Sequence, residues 1–219
     1  MAKAATVDRA PEPRWHAVIA VAVAVGLYVA LPSGLTVGPR WVFPAITSLL
    51  VLPLIALHRF GMHAIDRTLG YILNAVMTVQ LVVSAALLIE ALPSRREPPT
   101  SLLLSATSLW IVNVLVFALW YWRLDSGGPH GRDARARHVD GAFLFPQMTL
   151  WHGNEAPGAS SHWSPNFLDY LFVAFNTSTA FSPTDTPILT RWAKLLTMLQ
   201  AVISLSVLVV LAARAVNLL

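Results

Sequence analysis

The sequence predicts an all-α, polytopic bundle of transmembrane helices with five crossings and one short re-entrant helix. Three observations lead to this fold class. Of the 219 residues, 56% are hydrophobic and only 12% are charged, whereas soluble domains carry about 25% charged residues. Five apolar stretches approach or exceed the roughly 20 residues that a membrane-crossing helix needs. A further one, from Phe167 to Phe181, is too short for that span. Six complete crossings are the alternative.

The N-terminal half is predicted to be a short tail followed by four membrane helices. Residues 1–14 contain two prolines and precede the first apolar stretch, so we expect a disordered tail. No small-residue cleavage pattern follows that stretch before Pro32, which favours a retained helix over a secretion signal. Lipid leaves no partner for unpaired backbone groups, so helices are expected. Within residues 15–123, the four predicted helices are Trp15 to Leu35, Trp41 to Leu57, Leu69 to Leu92 and Leu102 to Trp122.

The C-terminal half is predicted to be a polar loop followed by a short helix and a final crossing. Residues 124–165 are polar and glycine-rich, and we expect this segment to lie outside the membrane. The preceding residues Trp120 to Arg123 are typical of an aromatic belt with a basic anchor at the membrane surface. Residues 166–219 contain the short apolar segment and then the last predicted membrane helix, Leu195 to Leu219.

The short segment combines apolar residues with hydroxyl and amide groups at apparent membrane depth. Asn176, Thr177, Ser178 and Thr179 are consecutive, and Phe181, Ser182 and Asp185 follow. Backbone that leaves a helix at this depth is tolerated where protein buries it or where it lines a watery cavity. Hydroxyl and carbonyl oxygens can replace the hydration shell of an ion. A short helix followed by such a polar turn is therefore typical of a pore loop.

The same residues resemble a known module. The stretch "YLFVAFNTSTAFSPTD" is similar to the pore helix and filter of tetrameric cation channels, in which an aromatic residue precedes F-x-T-x-T-T-V-G-Y-G-D. Without a gap, Phe175 falls on the phenylalanine of that pattern, Thr177 and Thr179 on two threonines, and Asp185 on the final aspartate. Most of residues 102–219 also resembles a family of uncharacterised multi-pass proteins of the bacterial inner membrane, through "WYWRLD", "FLFPQ" and "DYLFVAF".

The channel resemblance implies a homotetramer that is embedded in membrane lipid and conducts inorganic ions. Thr177, Ser178, Thr179 and Ser182 would supply oxygens, and Phe181 would constrict the path or pack behind it. Gln200 and Ser204, one turn apart on the final helix, are the candidates for lining it. The chain departs from the pattern where the filter has two glycines and this sequence has none. Because glycine readily reaches the backbone conformations of stacked carbonyls, potassium selectivity does not carry over.

The distribution of Lys and Arg, which favour cytoplasmic loops, predicts a cytoplasmic N-terminus. Six crossings would place ten of these residues inside and five outside. Five crossings with a loop that enters from the cytoplasm would place eleven inside and four outside. A loop that enters from the outside would reverse this count. A re-entrant loop, if present, is therefore expected to face the cytoplasm.

Other function classes find less support in the sequence. No cysteine is present, and we find no acid–base pair at membrane depth, no nucleophile elbow and no phosphate loop, so we predict neither an enzyme nor a cofactor. The basic residues flank helices, which gives no reason to expect nucleic acid, and the histidines lack the spacing of a metal site. The alternatives are a non-conducting membrane protein that binds lipid or a protein partner, or a small transporter.

Overall fold

The computed structural model describes residues 12–59, 63–91, 98–134, 141–150, 163–182 and 185–216. These residues form helices, and their only extended pairing is an isolated bridge between Phe143 and Ile188. In chain order the helices are α1 Trp15–Val29, α2 Val42–Arg59, α3 His63–Ala91, α4 Pro99–Leu124, α5 Gly128–Asp133, α6 Pro146–Leu150, α7 Phe167–Ala180 and α8 Arg191–Val216. The all-α prediction is confirmed for this part of the chain.

Three helices of the described chain are long and apolar enough to cross a membrane. They are α3, α4 and α8, while α1 and the apolar part of α2 are shorter. The first predicted span is interrupted because α1 ends at Val29, and Pro32 then leads into a separate 3₁₀ turn over Ser33–Leu35. Proline favours extended backbone at the residue before it, which does not allow the helix to continue to Leu35.

Contacts between helix ends fix the direction in which each helix runs. Arg14, which precedes α1, forms an ion pair with Asp66 in the first turn of α3. At the opposite end, the ring of Tyr28 in α1 packs against Phe43 in α2. We call these the Asp66 end and the Ser33 end of the bundle. Helices α1 and α3 run away from the Asp66 end, whereas α2 and α4 run towards it.

Helix α4 is the central helix of the bundle. In its most apolar stretch 61% of the residues are buried, against 39% for α3 and 33% for α8. Val116, Phe117 and Ala118 are completely enclosed, so every side of α4 is packed at this level. A helix that is apolar all round is expected to be buried in this way.

Helices α7 and α8 run in the same direction. The Gln200 side chain of α8 bonds the backbone oxygen of Ala174 in α7, and Ser204, four residues further, bonds that of Ser178. Phe143 contacts Tyr170 near the start of α7 and Trp192 near the start of α8. Both helices therefore begin at the Asp66 end, and the chain between Ala180 and Arg191 returns to the end from which α7 started.

The segment predicted to be a loop outside the membrane packs closely on the bundle in its described parts. Asp125 and Phe143 are fully enclosed, and Phe145 is 3% exposed. The amides of Leu144 and Leu189 donate to the backbone oxygens of Pro187 and Ala142, at 2.9 and 2.8 Å. These bonds fix the chain after α7 against the segment before it, which holds the start of α8 in place.

Candidate functional site

The start of α7 is defined by a capping box. The Asn166 side chain accepts a hydrogen bond from the amide of Leu168 at 2.8 Å, and Asp169 accepts one from the amide of Asn166 at 2.7 Å. These two residues satisfy backbone donors that the first helical turn leaves unpaired. Asn166 and Asp169 thus cap the first turn of α7 from both sides of the box.

The end of α7 is set by hydroxyl groups and by one residue with left-handed backbone. The hydroxyls of Thr177 and Thr179 donate to the carbonyls of Val173 and Phe175, at 2.8 and 3.0 Å. Phe181 follows with φ of 54°, a conformation that costs a non-glycine residue about 1–2 kcal/mol. Helix α7 ends before this residue, and the Phe181 side chain is 46% exposed.

A buried polar cluster joins α4, α7 and α8 near the middle of α4. We call it the central cluster, and it consists of Asn113, Tyr121, Ser178, Gln200 and Ser204, each 0% exposed. Gln200 donates to the Ser178 hydroxyl at 2.9 Å and accepts from the Tyr121 hydroxyl. Asn113 donates to Ser178 and to the backbone oxygen of Gln200, both at 3.3 Å.

The central cluster holds one polar atom without a partner. Oδ1 of Asn113 is buried and makes no hydrogen bond within the described part of the chain. An unpaired buried carbonyl costs free energy unless a donor reaches it. The amide of Asn113 is therefore poised to accept a further donor at the level where α7 meets α8.

The predicted pore and filter residues divide into an enclosed group and an exposed group. Thr177 and Ser178 are buried, and Asn176 is half-buried, all within the single chain. Thr179, Phe181, Ser182 and Asp185 are exposed around the end of α7. Gln200 and Ser204, the predicted lining residues of the final helix, face α7 and α4 of the same chain. That these residues line an ion path stays a prediction.

The aromatic belt predicted at the end of α4 faces inward instead. Tyr121 is 0% exposed and Trp122 is 2% exposed. The Tyr121 hydroxyl bonds Gln200, and the Trp122 indole donates to the Glu12 carboxylate at 2.6 Å. Composition could indicate aromatic residues near a helix end, but their orientation depends on α7 and α8, which lie far away in sequence.

A second cluster, at the Asp66 end, consists of charged side chains from three parts of the chain. Arg132 pairs with Glu12 at 2.9 Å, and their side chains are only 2% and 9% exposed. Arg14 lies 3.5 Å from Asp66 and 3.5 Å from Asp133. Two residues of the predicted disordered tail, Glu12 and Arg14, thus bind the segment that follows α4.

Asp125 connects this charged cluster to the start of α7. Its carboxylate accepts from the Tyr170 hydroxyl at 2.7 Å and from the amide of Ala142. Arg132 bonds the carbonyl of Asp125 at 3.0 Å and lies 5.0 Å from the Tyr170 ring centroid. Gly141 permits this approach, because a Cβ atom there would overlap the Asp125 carboxylate. No motif in the sequence singles out Asp125, Arg132 or Tyr170.

His130 also belongs to the Asp66 end. Its Nε2 lies 2.6 Å from the Asp66 carboxylate, and both ring nitrogens lie within 2.9 Å of the Arg14 guanidinium. Over the residues that the structure describes, no group of three or more His, Asp or Glu side chains is arranged to hold a metal ion. The other three histidines of the predicted loop, His138, His152 and His162, lie outside the described residues.

Comparison of the chain with protein-family models, with curated proteins and with solved structures found no match.

Proposed function

We propose that the chain is one subunit of a homo-oligomeric membrane protein that conducts cations along a path formed by α7, the turn after it, and α8. The observation that carries this proposal is the parallel arrangement of α7 and α8, both of which start at the Asp66 end. A helix that enters the bundle, stops and is followed by a return to the same end has the geometry of a re-entrant pore loop.

The length of α7 supports re-entry. Its 14 residues span about 21 Å, less than the roughly 30 Å of a bilayer core. The Ser178 hydroxyl near its end bonds Asn113, which lies near the middle of α4. The helix thus ends at about half the depth of α4, and the chain returns from there through residues 181–190.

The polarity at the end of α7 favours a cation. The last carbonyl groups of a helix carry a partial negative charge, and discontinuous membrane helices use such ends to coordinate cations. Thr179, Ser182 and Asp185 are exposed next to this end. They offer two hydroxyl groups and one carboxylate. The resemblance to the pore module of tetrameric channels favours a tetramer, in which four such ends would meet.

Charge favours a cytoplasmic position for the Asp66 end. Among the described residues outside the C-terminal turn of α8, seven Lys and Arg residues lie at this end, against one, Arg40, at the Ser33 end. Such an excess is typical of cytoplasmic segments. The N-terminus and the entrance of the pore loop would then both face the cytoplasm, in a multi-pass protein of the bacterial inner membrane. Five complete crossings are part of this proposal. Helix α1, with 15 residues, is nearly as short as α7, but the chain after α1 continues through Ser33–Leu35 at the opposite end of the bundle, whereas the chain after α7 returns.

In this arrangement Gln200 and Ser204 act within the subunit, where they bind α7. The side of α8 that faces away from the subunit is apolar and includes Leu195, Met198 and Val202, which are 67%, 63% and 62% exposed. This face is available to lipid or to a neighbouring subunit. A shared path would then be lined by the exposed end of α7 and by part of this face.

Ion flux into liposomes tests the proposal. We expect the purified full-length protein to conduct monovalent cations, and Thr179→Val or Ser182→Val to change the rate or the ion preference. Thr107→Val is the matched control, because Thr107 is also exposed and also donates to a backbone carbonyl four residues earlier, at 3.0 Å. Flux that is absent, or that responds equally to Thr107→Val and Thr179→Val, contradicts the proposal.

A non-conducting membrane protein is the second candidate, and the burial of the central cluster favours it. Ser, Asn and Gln side chains commonly join helices in membranes without any transport role, and Ser178, Gln200 and Ser204 are enclosed in this way. The oligomeric state in mild detergent separates the two candidates. A monomer has no shared axis and favours the second candidate, whereas a tetramer favours the channel.

A further inference from the structure

A cavity of about 330 Å³ opens between α1, α2, α3 and α4 at the Asp66 end. Its walls are aliphatic and include Val18, Val51, Leu54 and Ile55. Its polar side is formed by Arg14, Asp66 and Arg123. Sites that bind small ligands usually measure about 300–1,000 Å³ and combine apolar walls with a few polar groups. The cavity therefore has the size and the polarity of a site for an amphiphile.

Arg123 is the charged group that this cavity leaves without a partner. Its Nε atom is shielded from solvent and makes no hydrogen bond to any described residue. The ion pairs found in the described chain involve Arg14, His130 and Arg132 but not Arg123. Its guanidinium group is 5.5 Å from the Trp122 ring centroid, and it also borders a smaller cavity beside Tyr71. Arg123 is half-buried, and a partly enclosed guanidinium group without an ion pair favours an anion as its partner.

Asp66 does not supply that anion, because its carboxylate is already engaged. It lies 2.6 Å from His130 and 3.5 Å from Arg14. Arg14 is paired with both Asp66 and Asp133, so Arg123 is the guanidinium group at the cavity that has no ion pair among the described residues. Its charge favours a negatively charged group at the polar side of the cavity.

The backbone of α3 is shaped to admit Arg123. Its guanidinium group lies against Gly70, where a Cβ atom would overlap Nη1 and come close to Cζ. Glycine is about 1 kcal/mol less favourable than alanine inside a helix, so Gly70 lowers the stability of α3. The absence of a side chain at this position leaves room for the guanidinium group at the edge of the cavity.

We propose that this cavity binds an anionic phospholipid, with the phosphate group on Arg123 and an acyl chain along Val18, Val51 and Leu54. A guanidinium group binds phosphate through two parallel hydrogen bonds. Trp15, 57% exposed at the start of α1, lies beside the opening of the cavity, and exposed tryptophans are typical of the level of lipid head groups. The opening would thus lie where phospholipid phosphates are.

Thermal unfolding of the delipidated full-length protein in detergent tests this site. A ligand that binds the folded state raises the unfolding temperature. We expect a rise with phosphatidylglycerol, and a smaller one with phosphatidylcholine of the same acyl chains or with sodium phosphate. An equal rise with phosphatidylcholine contradicts the role of the anionic head group. An equal rise with sodium phosphate contradicts the role of the acyl chain.

Substitutions at the cavity test whether the lipid binds there. We expect Arg123→Gln to weaken phosphatidylglycerol binding by about tenfold or more, since it removes a charge-assisted bidentate contact. Arg191→Gln is the control, because Arg191 is an exposed arginine at the same end of the bundle. Without lipid, Arg123→Gln should be at least as stable as the native protein, because a half-buried charge without an ion pair is removed.

Two further variants leave the charge in place and keep the proposal testable if Arg123→Gln folds poorly. Gly70→Ala should displace the guanidinium group, and Val51→Phe should fill the space of the acyl chain. Both should weaken the binding of phosphatidylglycerol. Lipid binding that is unchanged in both variants, or that falls equally in Arg191→Gln, overturns the assignment of this cavity.

Discussion

The amide nitrogen of Gln200 lies 2.9 Å from the hydroxyl oxygen of Ser178, and this hydrogen bond joins α8 to α7 deep inside the bundle. The same amide nitrogen lies 2.7 Å from the backbone oxygen of Ala174. Its carbonyl accepts from Tyr121 of α4. One side chain thus connects the three helices on which the proposed function depends.

Replacement of Gln200 by leucine should destabilise the bundle. The change removes these bonds and leaves the Tyr121 hydroxyl buried without its acceptor, at a cost of about 1–3 kcal/mol. We expect a lower unfolding temperature in detergent. Gln80→Leu is the control, because Gln80 bonds Ser84 within its own helix. Equal losses in the two variants would show that Gln200 has no special role between helices.

Cysteine labelling should place both ends of the α7 segment in one compartment. The chain has no native cysteine, so single cysteines give no background. We expect Asn166→Cys and Leu189→Cys, at exposed positions before and after α7, to react with an impermeant maleimide from the same side. Arg40→Cys, near the Ser33 end, should react from the other side. Labelling of positions 166 and 189 from opposite sides would establish a sixth crossing and exclude re-entry.

The ion pair between Glu12 and Arg132 should stabilise the Asp66 end. Glu12→Gln leaves the charge of Arg132 without its carboxylate, and breaking a buried pair from one side costs about 3–5 kcal/mol. Arg132 keeps its bonds to the carbonyls of Trp122 and Asp125, so we expect a loss at the lower end of that range. Denaturant or thermal unfolding measures it, with the exposed Glu90→Gln as control. A loss no larger than that of the control would contradict the expectation.

Tyr170→Phe should loosen the start of α7. The hydroxyl of Tyr170 donates to Asp125 at 2.7 Å, and Asp125 is fully enclosed. Hydrogen bonds to charged groups contribute about 1.5–3 kcal/mol. We expect a loss of stability in this range and faster hydrogen exchange in the first turn of α7. Tyr71→Phe is the control, because Tyr71 is half-buried and stacks on Trp120 without a bond to a carboxylate. Unchanged exchange in α7 would show that Asp125 does not hold that helix.

The start and end of α7 were accessible from the sequence because local rules govern them. The capping role of Asp169 follows from its position in the first turn. The end of the helix before Pro183 follows from the short apolar run and the polar residues after it. Even so, the sequence left open whether Ser178 would face a shared path or another helix of the same subunit, because both environments accept a hydroxyl group.

The contacts at the Asp66 end could not be predicted from such local rules. Arg14 and His130 are 116 positions apart in the chain, and Glu12 and Arg132 are 120 apart. No local pattern relates such residues, and each of them taken alone is compatible with a solvated loop. The predicted disordered tail and extramembrane loop reflect that missing information.

By itself, the sequence determined that the described chain is helical, that α3, α4 and α8 are apolar enough to cross a bilayer, and where a short polar-ended helix interrupts the pattern, since these properties depend on composition and on neighbouring residues. The tertiary structure alone decided that α7 and α8 run in the same direction, that Tyr121 and Trp122 face inward, and that Arg123 borders a cavity without an ion-pair partner. Those features depend on which segments, distant in sequence, pack against one another in the interior. The pattern of hydrophobic residues along the chain does not specify which segments these are.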